Sequence, residues 1–162
     1  MQLKSGPIVL VLGFLWHSCY AAPLVGSGDR LQMLKKIQGR WHSKCSLVTT
    51  GSSDIYRQKQ IQFSFTHAQL RVTEYHSGRC IEEKARYSVK YHFVLGDELL
   101  TDDGQKVYAV DFSADEEPPS VAFLQVKNII RFDGGELLLG LPVGLGSDQR
   151  LKRLDSMHPY RR

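Results

Sequence analysis

Cysteine is scarce in this chain, with three in 162 residues, and that excludes a scaffold held by a dense disulfide framework. Neither Cys45 nor Cys80 belongs to a Cys-x-x-Cys or His-x-x-x-His array, so thiolate metal binding has no ligand set to build on. No Gly-x-Ser-x-Gly elbow is present, and the glycines at 140, 144 and 146 lack the lysine of a phosphate loop. Long apolar runs are absent except near the start, so no segment after residue 22 has the length of a membrane-spanning helix. Strand-like segments do not alternate with helical ones, which argues against a parallel α/β sheet.

The single apolar run, Pro7 to Trp16, follows Lys4 and precedes the small residues Ala21-Ala22, with Pro23 disfavouring a cut after Ala22. This is the pattern of a signal peptide spanning 1–21 and cleaved after Ala21, leaving one domain over 22–162. A secreted or periplasmic location follows as an expectation, and Cys19 leaves with the leader. The two remaining cysteines, Cys45 and Cys80, form either one disulfide or two buried thiols, and an oxidising compartment favours the bond. Closing a loop of about 35 residues stabilises a fold by about 3–4 kcal/mol on the chain-entropy account.

The formal charge of +4 is unevenly spread. Residues 29–96 carry twelve Lys/Arg against five Asp/Glu, 97–117 carry eight acids against Lys106, and 148–162 carry five basic side chains against two acids. The chain is therefore dipolar rather than uniformly basic. Nucleic-acid binding would want clustered basic residues interleaved with aromatics and no opposing acidic block.

Asp29 offers a helix cap with Gln32 three residues on, and Leu31, Leu34 and Ile37 share one side of a short helix with Met33 beside them. Gly39 ends it. From there the period becomes two. Trp41, Ser43, Cys45 and Leu47 share one face of a first strand, followed by Ile61-Phe63-Phe65, then Leu70-Val72, and the clear alternation Tyr87-Val89-Tyr91-Phe93-Leu95. Asp102-Asp103-Gly104 and Asp133-Gly134-Gly135 mark hairpin turns. Arg150 to Leu154 reads as a last short strand. The fold class expected is all-β: an eight- to nine-stranded antiparallel up-and-down barrel with a short N-terminal helix, with a two-sheet sandwich as the alternative.

The lead-in helix followed by Gly39-x-Trp41 on the first strand resembles the lipocalin and calycin superfamily. The fuller pattern, Gly-x-Trp-x-Ser-x-Cys with a second cysteine downstream and a closing Arg-x-x-x-Leu-Asp-x-x-x-x-Tyr, is similar to small exported bacterial lipocalin-like proteins. The resemblance implies that Trp41 sits at the closed end of the barrel, with a basic side chain from the final strand across its ring, either Arg150 or Arg153. The second lipocalin signature, a Thr-Asp-Tyr loop, is replaced by Asp115-Glu116-Glu117. From strand geometry, Cys45 two residues beyond Ser43 points inward with Trp41, so the Cys45–Cys80 bond is expected to line the lumen and narrow it.

Two functions are compatible with this reading. In the first, the barrel binds a small apolar or amphipathic molecule through Phe63, Phe65, Tyr87, Tyr91 and Phe93. In the second, those aromatics fill the barrel, and the acidic loop 114–119 and glycine-rich loop 142–147 bind another protein, as an inhibitor or envelope-assembly factor would. No catalytic set emerges: Glu82-Glu83 face opposite sides of a strand, and Asp102-Asp103 sit in a turn. His42, His67, His76, His92 and His158 show no metal-ligand spacing on one element. No cofactor, metal, nucleic acid or membrane span is implied, and a monomer is expected.

Overall fold

A computed structural model describes residues 27–50, 53–119, 124–142 and 149–162. The leader 1–21 and all but Pro142 of the loop 142–147 lie outside the described residues. Helix α1 (Ser27–Ile37) has Asp29 in its first turn and Lys35 and Lys36 in its last, each complementing the helix dipole. Its buried side chains are Met33 and Ile37, spaced i, i+4, with Leu34 partly covered, whereas Leu31 points to solvent. The helix therefore lies rotated from the Leu31-Leu34-Ile37 face that spacing suggested.

Among the described residues nine strands follow: β1 (Gly39–Ser43), β2 (Ser46–Thr50), β3 (Ser53–Ser64), β4 (His67–Tyr75), β5 (Glu83–Leu100), β6 (Lys106–Ala114), β7 (Lys127–Asp133), β8 (Glu136–Leu139) and β9 (Tyr160–Arg161). All pairings are antiparallel, in the order β1-β9-β8-β7-β6-β5-β4-β3-β2, and β1 also pairs with β3. That last ladder closes the sheet into an eight-strand barrel, with β2 as an extra strand continuing β1 along β3. Closure removes the free edges that an open antiparallel sheet would present.

The first strand is interrupted, and the interruption has consequences. His42 pairs with Gln60 while Ser46 pairs with Arg57, so β1–β2 holds one residue more than the β3 segment opposite. Such a bulge reverses which side chains face inward beyond it. Trp41 and Ser43 point in, then Ser46 and Val48 do, and Cys45 falls on the outer row with Leu47, which is 51% exposed. The Cys45–Cys80 disulfide, with Cα atoms 6.2 Å apart, accordingly joins this break to the β4–β5 connection on the outer wall. There Gly78 lies against the ring of Tyr56, the outward partner of Leu47. The expected lumen-lining disulfide is corrected to an external staple.

Trp41 is fully buried at the closed end. Its indole nitrogen donates to the Ile37 carbonyl at 2.7 Å, and its ring meets Phe132 edge-on at 5.7 Å, which fixes the helix terminus to the barrel floor. The cation over the ring is Arg162, with its guanidinium carbon 4.8 Å from the ring centroid. Arg150 and Arg153 do not fill that role. Arg150 donates to the carbonyls of Asn128 (2.8 Å) and Val110 (3.3 Å) and pairs with Asp111 (2.6 Å), and Arg153 is exposed.

The cause is a different course for the tail. Residues 150–154, expected as a strand of the barrel, instead cross the outer wall. Leu151 packs on Val107 and Ile129 as a second small core, with Leu154 at its edge. Gly140 permits that crossing, because a Cβ there would come within 2.8 Å of Leu151 Cβ and Asn128 Oδ1. The chain then returns as β9, a two-residue strand between β1 and β8.

Candidate ligand cavity at the open end

The expected aromatic site is packed core. Phe63 and Phe93 meet edge-on at 5.2 Å, and Phe112 contacts Phe63, Phe93 and Tyr91 at 5.9–6.4 Å between ring centroids. These rings fill the middle of the barrel, as eight strands allow. Tyr87 packs half-buried at the edge of this cluster. Phe65 leaves it altogether: it has φ 31° in the β3–β4 turn and is 84% exposed. None of the five lines the cavity described next.

That cavity, about 300 Å³, lies above the aromatics at the opposite end from Trp41. Its position follows from the shortness of β9, which among the described residues pairs only with His42, Ser43, Glu136 and Leu137. Beyond those residues no ladder joins β2 to β8 among the described residues, and the tail segment carrying Asp155 and His158 makes the wall. Ser43, Ser46 and Val48 enter from β1–β2, Arg57 and Lys59 from β3, and Asn128 and Leu139 from β7–β8, with Gly140 directly after β8. Leu124 closes another side, its backbone N–H donating to the Tyr91 hydroxyl at 3.1 Å, so the wall is braced from the core below.

The cavity wall is charged, and most of the charges are paired. Arg57 donates to Glu74 at 2.6 Å, directly across the β3–β4 ladder, with side-chain exposures of 13% and 7%. His158 lies 2.9 Å from Asp155 through Nδ1, and its backbone N–H donates to the same carboxylate. Asn128 Oδ1 accepts from the Gly140 N–H at 2.9 Å. Burial pushes the Tyr160 phenol far above its usual range, with the charge of Asp155 adding to the effect. Burial also holds the Lys59 ammonium below its ordinary value, Arg57 lowers it further, and Asp155 opposes them.

Arg57 and Lys59 were not among the expected site residues, although a signal was present. They alternate in phase with Ile61 and Phe63, so the row that marks the core of β3 also carries two cations inward.

Elsewhere, the His67 and His92 rings lie 4.2 Å apart as a cross-strand pair, and His92 approaches Asp115 at 3.3 Å. Among the described residues, no group of three or more His, Cys, Asp or Glu side chains could hold a metal ion. Asp115 also donates its backbone N–H to the Lys90 carbonyl, so the acidic loop begins folded against its own barrel. Asp103 accepts from Thr101 and Gln105, which hold its carboxyl below the usual range and make it a turn residue. No helix among the described residues is long and apolar enough to cross a membrane. Comparison with family models, curated proteins and solved structures finds no match, so the barrel and its cavity rest on this chain's own geometry.

Proposed function

We propose that this chain is an exported, lipocalin-like barrel that binds a small amphipathic molecule at its open end. The observation that carries the reading is a cavity of about 300 Å³, walled by polar and apolar side chains, above a core already filled by its own aromatics. That volume lies at the lower end of small-molecule pockets, which favours a compact ligand over a long-chain lipid. A disulfide between Cys45 and Cys80 accords with an oxidising compartment. The closed barrel with Trp41 at its base accords with the family resemblance.

The packed aromatic middle also favours a second reading, a filled barrel that binds a protein through its loops. Native mass spectrometry on protein purified from its own host separates the two. A retained small mass is expected for the ligand binder, and clean apoprotein at every preparation would sink it.

A further inference from the structure

The cavity wall sets the Asp155 carboxylate against Arg57, Lys59 and His158, with Glu74 facing Arg57 from the neighbouring strand, and the pairing among them is uneven. Arg57 is taken by Glu74, and Asp155 is turned to His158. The Lys59 side chain makes no ion pair or hydrogen bond among the described residues, and Asp155 attracts it only through space. A half-buried ammonium without a partner is incompletely solvated, and an anion delivered next to it recovers part of that cost.

We propose that Lys59 anchors the carboxylate of a small monoanionic ligand whose apolar body lies on Val48, Leu124 and Leu139. This rests on the open-end cavity being a binding site and adds the charge and orientation of what binds there. A carboxylate supplies one negative charge to the one cation in this wall lacking an ion-pair partner among the described residues. A phosphate dianion would bring a second negative charge beside the Asp155 and Glu74 carboxylates, which would oppose it. The apolar wall excludes a bare inorganic anion as the best fit, because it would leave Val48, Leu124 and Leu139 uncovered.

Calorimetric titration of the full chain with octanoate and with octanol, on the native protein, Lys59→Met and Lys59→Arg, tests this. Octanoate is expected to bind the native chain and the arginine variant. It should bind Lys59→Met about 10- to 100-fold more weakly, the worth of one charge-assisted hydrogen bond. Octanol should bind the native chain more weakly than octanoate, and lose little in Lys59→Met. Circular dichroism and a urea midpoint no lower than native establish that the methionine variant is folded. Equal affinity of Lys59→Met for octanoate, or octanol binding as tightly as octanoate, overturns the anchor while leaving a binding cavity in place. Failure of both ligands to bind the native chain overturns the anchor and the cavity's role together.

Discussion

The Arg162 guanidinium carbon lies 4.8 Å from the centre of the Trp41 ring, so the residue that follows β9 seals the floor formed by a residue of β1. It also donates to the carbonyls of Lys36 and Gln38 at 2.9 and 3.0 Å, satisfying the C-terminal end of α1. Removing it therefore loosens the helix end and the barrel floor together. Arg162→Ala is expected to cost about 1 kcal/mol, and Arg153→Ala close to nothing. Urea unfolding of the two variants checks the assignment, and a larger loss for Arg153→Ala would contradict it.

The external disulfide makes a separable prediction. Cys45→Ser with Cys80→Ser should lose about 3–4 kcal/mol of stability. Octanoate affinity should change by less than about threefold, because the staple and the cavity lie on opposite faces of the wall. A disulfide lining the lumen would instead change binding on removal. Titration and urea melts of the same double variant distinguish the cases.

Arg57 and Glu74 form a buried pair on facing strands, and their energetics are asymmetric. Glu74→Leu leaves the Arg57 charge unmatched beside Lys59 and should cost about 3–5 kcal/mol. Adding Arg57→Met to that variant should recover most of the loss, because well-packed apolar groups replace a buried ion pair at little net cost. A double-mutant cycle in urea checks this, with additive losses as the contrary result.

Alkaline pH supplies another handle. The folded state holds the Tyr160 proton well above the ordinary phenol value of 10.0, with burial as the main cause. Its contribution to stability is complete below that ordinary value, and falls away as pH rises through it toward the folded value. Tyr91, also raised mainly by burial, acts in the same direction, while the lowered Lys59 acts in the opposite one below 10.5. The informative quantity is thus the difference between native and Tyr160→Phe. From about pH 9 to pH 11 the native chain should lose more stability than the variant. Parallel slopes in urea midpoints would show that Tyr160 is not buried as described.

Much of the architecture was legible in residue patterns, for physical reasons that also explain the failures. Tyr91, Phe93 and Leu95 alternate with exposed neighbours, and the turn at Asp102-Asp103-Gly104 separates β5 from β6. Period two and turn chemistry report local backbone, so they carry over directly. A one-residue insertion between Ser43 and Ser46 leaves no trace in hydrophobic pattern when the residues involved are Lys44 and Cys45, yet it moved the disulfide from lumen to outer wall. Arg150 to Leu154 carries Leu151 and Leu154 three residues apart, which marks no single strand face, and their partners Val107 and Ile129 lie on the outside of the barrel, a tertiary fact. β9 is too short for any period to show. Phe65 kept the parity of Phe63, but its backbone had already entered the turn.

The central claim is that binding belongs to the open-end cavity beside Lys59 rather than to the aromatic middle. Amide and methyl NMR during an octanoate titration reads this directly. The account predicts perturbations concentrated at Ser46, Val48, Lys59, Leu124 and Leu139, with Phe63, Phe93 and Phe112 little changed. Perturbations centred on those three phenylalanines, or none anywhere, would contradict it.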